Sequence, residues 1–536
     1  MKLKKNLQTY CYFYLAIIIS MLYACTLQKQ DKLKNNSSYN SEFNVSIGNE
    51  PESIDPAKIV GTIGMDIAIN IFEGLTTHDP RTLNRVPGIA QSWSVSEDAT
   101  QYIFQLRKNA IWTDGKPVTA LDFISSWERV LNPKTSSAYA FLMYSIKGAR
   151  EYNQGKYNDF SKVSIKAIDH FTLQVDLVKP THYFLDLTSF VTFLPIRIDI
   201  INKYQDNWTK PENIITNGPF RLTSWQPNQK LTIEKSPRYW DSDFVRMSRI
   251  NFHIVEDVNT EEKMFQTGAL DMTSQILGIK IDKHLKNPEF HYSPFLGNLF
   301  IRFNTTKKPF NDIKVRKAFS LAIDRDKLCK FVAKGRVPAY SLTPPGIEDY
   351  SPPNVIEYDI EKAKALLKEA GYENGKDFPE FEILYNTEQD IKKIMLAIQE
   401  MWKKNLGIDV TLINQEWKVY LSNLFRMNFD LVRSSWIGDY LDPNTFLDLW
   451  VSKGDNNLTA WSNLNFDKLI EEASIEVNPR NRFNLLKKAE KILLEEMPII
   501  PIYYYTSQFL LKANVKGIYP NLKNLHPLKY VFFESQ

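Results

Sequence analysis

Hydrophobic patterns of the helical and the strand type alternate along this chain, and that alternation restricts its fold more than any other feature. Residues 359–372, DIEKAKALLKEAGY, have helical periodicity, with Asp359 placed to open the helix and Gly371 to end it. A second helical pattern, DIKKIMLAIQEMWKKNLG, ends near Gly407 and is followed by the alternating strand pattern IDVTLI. Strand–helix–strand units typically form parallel sheets, so we predict an α/β fold with largely parallel sheets.

Further elements repeat this mixture. Residues 42–48, EFNVSIG, and the segment RINFHIV are predicted strands, and ALDMTS is predicted to be a returning strand. NTEEKMFQTG is a short predicted helix closed by Gly268. YIFQL, the turn DGKP and a helix capped by Thr119 follow one another, and the apolar face of that helix carries Phe123, Trp127 and Val130.

Length and charge set the broad class. The chain has 536 residues, of which 43% are hydrophobic and 24% charged, which is ordinary for a globular protein of two or three domains. Three of the 66 basic residues lie within residues 1–24, so the rest is nearly neutral against its 62 acidic residues. That balance gives no reason to expect a nucleic-acid partner.

The N-terminus has the pattern of an export signal. MKLKKNLQ is basic, and the apolar stretch YCYFYLAIIISMLYA is shorter than the roughly 20 residues of a membrane span. It ends at LYAC, which resembles a bacterial lipobox, so residues 1–24 are predicted to be a signal peptide and Cys25 the lipidated residue. Polar residues 25–42 then form a flexible tether, and the protein is placed in the periplasm or cell envelope. The alternative is an uncleaved N-terminal anchor.

The other reactive residue types point away from catalysis. Besides Cys11 and Cys25 the chain has only Cys329, which is expected to be a buried small hydrophobe, so no disulfide framework is available. The chain contains no Gly-rich phosphate loop, no G-x-S-x-G elbow and no two histidines three or four residues apart. These absences argue against an enzyme, a metal or a cofactor, although a spatial triad need not show in a sequence.

Aromatic residues are abundant in segments that read as loops. The chain has 11 Trp, 26 Tyr and 32 Phe, several of them beside polar groups in NQEW, SSWIGDY, PIYYYTS and SSAYAFLMY. Aromatic walls with a few fixed charges are typical of a recognition cleft for a small ligand. The alternative for any single aromatic is a place in the core.

Collinear segments along nearly the whole mature chain carry a family resemblance. They include SIDPAKI, IFEGLTTHDP, NAIWTDGKPVTALDFISSWERVL, NIITNGPFRL, KPFNDIKVRKAFSLAIDRD, QEMWKKNLGIDVTLINQEWKVYL and FDLVRSSWIGDYLDPNTFL. With these segments the chain resembles the oligopeptide-binding proteins of solute-binding protein family 5, the extracytoplasmic substrate-binding subunits of ABC-type peptide importers.

The resemblance implies a two-lobed periplasmic-binding-protein fold of the large three-domain type, with the ligand cleft between the lobes. The core of the first lobe would comprise residues 43–72, 189–274 and 507–536. Residues 73–188 would form an extra α/β domain inserted in that lobe, and residues 275–506 the second lobe.

The resemblance also implies how an extended peptide is held. Protein backbone around Val60 and Thr62, and along the bend from Arg433 through Ser435 to Asp439, would pair with the peptide backbone. Asp439 would receive the α-ammonium group, because a buried charge needs a partner. Matching positions at or near the cleft are Trp417, Trp436, Tyr139, Asn386, Asn456 and Tyr505.

The carboxylate end of the peptide is less closely matched. Arg433 corresponds to one family cation, and Lys334 to another across a one-residue gap. Leu424 stands where the family has an arginine, and Ile391 where it has a histidine, so peptide length preference does not transfer.

Oligopeptides and the transmembrane subunits of a permease are thus the predicted partners, and a monomer is expected. The alternatives are a non-peptide ligand within the same superfamily, a surface lipoprotein acting as a receptor or adhesin, and a hydrolase. The retained Asp439 favours a ligand with a free amino group, because a sugar has no use for that acid.

Overall fold

The fold is described from a computed structural model covering residues 41–454 and 456–534. The predicted signal peptide, Cys25 and nearly all of the predicted tether lie outside these residues. The strands are Glu42–Ser46 (β1), Thr76–His78 (β2), Arg85–Pro87 (β3), Ala90–Val95 (β4), Gln101–Leu106 (β5), Ile165–Asp169 (β6), Thr172–Asp176 (β7), Phe220–Gln226 (β8), Lys230–Lys235 (β9), Arg249–His253 (β10), Phe290–Phe303 (β11), Val337–Pro338 (β12), Glu382–Asn386 (β13), Thr411–Gln415 (β14), Leu431–Ile437 (β15), Ile499–Leu510 (β16), Val515–Lys516 (β17) and Phe532–Phe533 (β18).

The α-helices lie between and after these strands. They are Thr62–Ile71 (α1), Ala120–Leu131 (α2), Ala149–Asn153 (α3), Phe184–Leu187 (α4), Ile198–Tyr204 (α5), Val258–Gln266 (α6), Ile281–His284 (α7), Ile313–Leu321 (α8), Arg325–Phe331 (α9), Ile360–Glu369 (α10), Gln389–Leu406 (α11), Trp417–Phe425 (α12), Asn444–Leu447 (α13), Leu464–Ile475 (α14) and Pro479–Glu496 (α15). No helix within the described ranges is long and apolar enough to cross a bilayer.

Three sheets of four or more strands organise the molecule. One has the order β1-β10-β9-β8, the second β4-β5-β7-β6, and the third, with six strands, β12-β16-β11-β15-β13-β14. The prediction of largely parallel sheets is wrong. Among the described strands only β1–β10, β13–β14 and β13–β15 pair in parallel. The remaining pairs are antiparallel because hairpins and long returning strands build most of each sheet, including β11 with β16.

Local sequence signals fixed several helix ends as predicted. The carboxylate of Asp122 accepts hydrogen bonds from the backbone N–H (2.7 Å) and the hydroxyl (2.9 Å) of Thr119, so the start of α2 is satisfied. Asp359 accepts from the N–H of Lys362 at the start of α10 (2.9 Å). Gly407 ends α11 with φ at 73°, in the left-handed region that glycine tolerates best.

Two other expectations had different outcomes. The segment ALDMTS forms no named strand, since Met272 makes only isolated bridges to Val45 and Leu511. The segment therefore pairs on each side through a single residue, which is too short for a regular ladder. The interpretation of Cys329 is confirmed, because its side chain is buried and burial raises the pKa of its thiol to about 12.

A buried ion pair links the segment that carries the second sheet, residues 73–188, to the SIDPAKI segment that follows β1. Both guanidinium Nη atoms of Arg129 on α2 bind the carboxylate of Asp55, at 2.8 and 2.6 Å. Asp55 lies in the SIDPAKI segment and is 4% exposed. The domain boundaries predicted from the resemblance remain a proposal. It is supported by the confinement of β4–β7 to residues 73–188, whereas β16 of the six-stranded sheet runs to Leu510, past the predicted boundary at 506.

Candidate functional site

A cavity of about 550 Å³ is lined by α1, β16, the bend that ends β15 at Ile437–Asp439, and the C-terminal segment around Lys523. That volume is in the range of small-molecule and peptide sites. Its lining includes Val60, Thr62, Met65, Asp66, Ile69, Glu73, His78, Tyr139, Phe190, Gln275, Arg336, Ile437, Gly438, Asp439, Tyr505, Gln508, Lys523 and Asn524. Of the twelve predicted ligand-binding residues, the structure places five in this lining: Val60, Thr62, Tyr139, Asp439 and Tyr505.

Glu52 fixes the backbone of the cavity wall at Val60. The carboxylate of Glu52 accepts from the backbone N–H groups of Val60, at 2.9 Å, and of Gly61. The Val60 side chain is 51% exposed. A peptide pairing with this segment would therefore meet the carbonyl of Val60, because its N–H is already occupied.

Another part of the lining is the end of β15. This strand pairs with β11 along its whole length, whereas β13 reaches only Leu431 and Val432 on its other side. From Arg433 onward that second side has no strand partner among the described residues. Gly438 then turns the chain, and a Cβ at this position would lie 2.7 Å from a side-chain atom of Leu296. The unpaired edge is a ready template for an extended peptide.

Asp439 follows directly on this turn. Its backbone N–H donates to the hydroxyl of Thr445 at 3.1 Å, which fixes the loop. Its carboxylate is partly buried and makes no hydrogen bond or ion pair in the described part of the chain. Burial raises the pKa of Asp439 to about 7, although the charge of Lys523 opposes that shift. A partly buried carboxylate with no hydrogen-bond or ion-pair partner is what a binding site for a ligand cation requires.

Tyr139 faces the same region from the segment that carries the second sheet. Its ring packs edge-on against Phe190, with centroids 5.3 Å apart. Burial raises the pKa of Tyr139 to about 12, with further contributions from the charges on Asp439 and Glu52. The phenol therefore stays protonated, and it supplies a neutral wall near the two acids.

Two arginines contact Tyr505. The guanidinium of Arg433 is buried and donates to Asn386 Oδ1 (3.0 Å) and to the Tyr505 hydroxyl (3.1 Å). Its Nε has no hydrogen-bond partner within residues 41–454 and 456–534, and no carboxylate pairs with it there. Arg336 lines the cavity, donates to the carbonyl of Thr506 (3.0 Å) and lies 5.2 Å from the Tyr505 ring centroid. Arg336 thus makes this part of the lining cationic, while Arg433 lies outside the lining.

The remaining predicted residues lie outside the cavity lining. Lys334 pairs with the carboxylate of Asp282 and lies outside the lining, whereas Arg336, two residues further along, lies within it. Trp417 is 51% exposed and stacks on Tyr420.

The others lie along β15 or behind it. Trp436 packs against the core of the six-stranded sheet, and Ser435 lies one residue before it on the unpaired edge. Asn456 offers its backbone carbonyl to Arg302, at 3.2 Å. The ligand-binding roles of these residues stay predictions.

Sequence reasoning missed Lys523, Arg336 and Asp66. The ammonium of Lys523 donates to the backbone carbonyl of Asp439 at 3.1 Å, and burial lowers its pKa. No local pattern marks Lys523, because the two residues are 84 positions apart in sequence. The segment FVAKGRV contains both Lys334 and Arg336, and alternation alone does not distinguish them.

Known proteins show which family has this arrangement. Residues 84–458 match the family described as bacterial extracellular solute-binding proteins, family 5 Middle. The oligopeptide-binding protein OppA of Bacillus subtilis (strain 168) is 37% identical over 499 residues, which cover 90% of this chain and 91% of that protein.

Two solved structures share the whole fold. A periplasmic oligopeptide-binding protein from Borrelia burgdorferi superposes with a TM-score of 0.81 at 35% identity, covering 92% of this chain and 100% of that one. The complex of Haemophilus influenzae OppA with RPPGFSPFR has a TM-score of 0.80 at 32% identity, covering 93% and 100%. The predicted two-lobed α/β fold is confirmed, and the chain belongs to family 5 of the bacterial extracellular solute-binding proteins.

Proposed function

We propose that this protein captures short oligopeptides outside the cytoplasm and delivers them to an ABC-type membrane permease. Relatives that match nearly the whole chain are named oligopeptide-binding proteins, and one of them is seen with a bound peptide. The cavity between the α1 wall and the β15 bend is the proposed binding site.

Peptide capture would use groups that every peptide offers. The unpaired edge of β15 would hydrogen-bond the peptide backbone, which gives affinity with little dependence on sequence. Asp439 would receive the α-ammonium group, and Arg336 and Arg433 would face the carboxylate end. Each buried charge would then have a partner, which offsets its desolvation.

The observation that carries this proposal is the unpartnered, partly buried carboxylate of Asp439 beside an unpaired strand edge. Native mass spectrometry of the purified protein tests it, since ligands held in a closed cleft co-purify. The masses released should be those of short peptides, and added peptides with free N-termini should bind. Failure of both would contradict peptide capture.

Catalysis is not part of the proposal. The family is one of solute-binding proteins. Incubating the purified protein with a bound peptide should therefore return the peptide intact.

The protein is proposed to act as a monomer, and sedimentation of the protein at micromolar concentration tests this.

Membrane attachment through a lipid on Cys25 completes the proposal. Two or more acyl chains give lasting attachment, whereas one gives only marginal binding. Cys25→Ala should lose incorporated fatty acid and enter the aqueous phase of a detergent extraction. A variant that stays membrane-bound at full length would show instead that residues 10–24 are an uncleaved anchor.

A further inference from the structure

Helix α1 presents one face to the cavity and the other to the core. Thr62, Met65, Asp66 and Ile69 line the cavity, and their spacing of three and four residues places them on a single helical face. Gly64, Ile67, Ala68 and Ile71 are buried on the opposite side. Asp66 is the only charged residue of the helix, and it belongs to the face that a bound peptide would touch.

The Asp66 carboxylate has no partner of its own. No hydrogen bond or ion pair to it occurs within the described chain, although its backbone carbonyl accepts from Asn70. Glu73, one of the other two acids in the lining, is fully engaged. It accepts from the Tyr239 hydroxyl (2.5 Å), Trp240 Nε1 (2.6 Å) and Lys529 Nζ (3.0 Å).

Asp66 is exposed to the cavity, and no cation lies beside it among the described residues. Its side chain is exposed there, yet the surrounding protein raises its pKa to about 7 by burial alone, with no nearby charge contributing. The pKa of Asp439, in contrast, is lowered in part by the charge of Lys523. The two acids belong to different elements that line one cavity, Asp66 to α1 and Asp439 to the turn after β15.

We propose that Asp66 is a specificity-determining residue that binds a cationic side chain of the peptide, so that peptides containing lysine or arginine are the preferred substrate class. The inference rests on the proposed function, because Asp439 already accounts for the α-ammonium group. Met65 and Ile69 on the same face offer apolar surface to the methylene stem of such a side chain. When the lobes hold a peptide, the ion pair is shielded from water and gains strength.

Calorimetric titration with matched peptides tests this. The probes are tetra-alanine peptides with free termini in which position 2, 3 or 4 is lysine or norleucine, which has the same carbon chain without the ammonium group. Wild type should favour lysine by about two- to fivefold at one position or more. Asp66→Asn should reduce that ratio to near one, whereas Asp66→Glu should restore most of it.

The matched control is Asp377→Asn, which removes an exposed acid remote from the cavity lining and should keep the wild-type ratio. Lysine-peptide binding to wild type at pH 7 should also release protons, measured in two buffers of different ionisation enthalpy, and Asp66→Asn should release fewer. Equal affinities of lysine and norleucine peptides for wild type, or a preference that persists in Asp66→Asn, would overturn the inference while peptide capture stands. Absence of binding by any of the peptides would overturn the proposed function, and the inference with it.

Discussion

Tyr183 and Tyr440 lie face to face, with ring centroids 3.8 Å apart and planes inclined by 8°. Tyr183 belongs to the segment that carries the second sheet, and Tyr440 directly follows Asp439. Beside the stack, Nε2 of His182 lies 2.7 Å from the backbone carbonyl oxygen of Glu476. The two parts of the molecule thus contact each other next to the proposed ammonium site.

Removing this stack should weaken ligand binding. An aromatic pair contributes about 0.5–1.5 kcal/mol beyond its buried area, so Tyr183→Ala should lower peptide affinity about two- to tenfold. Calorimetric titration measures the effect. Tyr358→Ala removes a tyrosine that is 39% exposed and lies outside the cavity lining, and it should leave affinity unchanged. Equal affinities of all three proteins would show that the stack does not support the bound state.

Asp439 should make the ligand-free protein less stable as pH rises. Its pKa of about 7 in the folded protein exceeds the usual value of 3.8, so the folded state binds the proton more tightly. The stabilisation from that proton is complete below about pH 4 and is lost as pH rises through 7. The charged groups facing this acid are Lys523 from the C-terminal segment and Asp448 after α13, and the phenol of Tyr139 lies opposite.

Asp439→Asn mimics the protonated acid. The melting temperature of this variant minus that of wild type should therefore increase from pH 5 to pH 8, measured without ligand by calorimetry. Subtracting wild type removes the contributions of the other titrating groups. A difference that stays flat or decreases over this range would contradict the desolvated setting of Asp439.

Glu490 is predicted to be a stabilising residue of the second lobe. Its buried carboxylate accepts from the backbone N–H groups of Leu342 (2.9 Å) and Thr343 (2.8 Å), and from the hydroxyls of Thr343 and Tyr350. Glu490→Ala leaves both N–H groups unsatisfied, which costs about 1–3 kcal/mol for each. Glu490→Gln should cost less, because the hydroxyls can accept from the new amide.

Urea unfolding of these variants gives the free energies. Glu495→Ala is the control, since it removes a neighbouring acid whose side chain is 52% exposed and should change stability little. If Glu490→Ala were as stable as Glu495→Ala, the network around Glu490 would not stabilise the lobe.

Local patterns in the sequence predicted local structure well. The ends of α10 at Gly371 and of α11 at Gly407 follow from the conformational freedom of glycine, which acts within a single turn. The direction of strand pairing was predicted poorly. Strands that are distant in sequence, such as β11 and β16, pair antiparallel, and no short sequence pattern indicates such pairing.

The site was predicted unevenly for the same physical reason. Asp439 and Tyr505 were identified through the resemblance to a family, and the structure places both in the cavity lining. Lys523 and Asp66 carry no motif. Their place in the lining depends on how distant segments pack. Asp66 becomes a candidate only once α1 is known to turn that face toward the cavity.

Binding of the peptide's α-ammonium group by Asp439 is tested most directly by one calorimetric cycle. Wild type and Asp439→Asn are titrated with a free peptide and with its N-acetylated form. Losing one partner of such a desolvated pair costs roughly 2–5 kcal/mol, about thirtyfold to a few thousandfold in affinity. Each single change should weaken binding by at least the lower figure, and the two together should cost less than their sum, because both remove the same pair. Fully additive losses, or wild-type affinity for the acetylated peptide, would contradict the assignment.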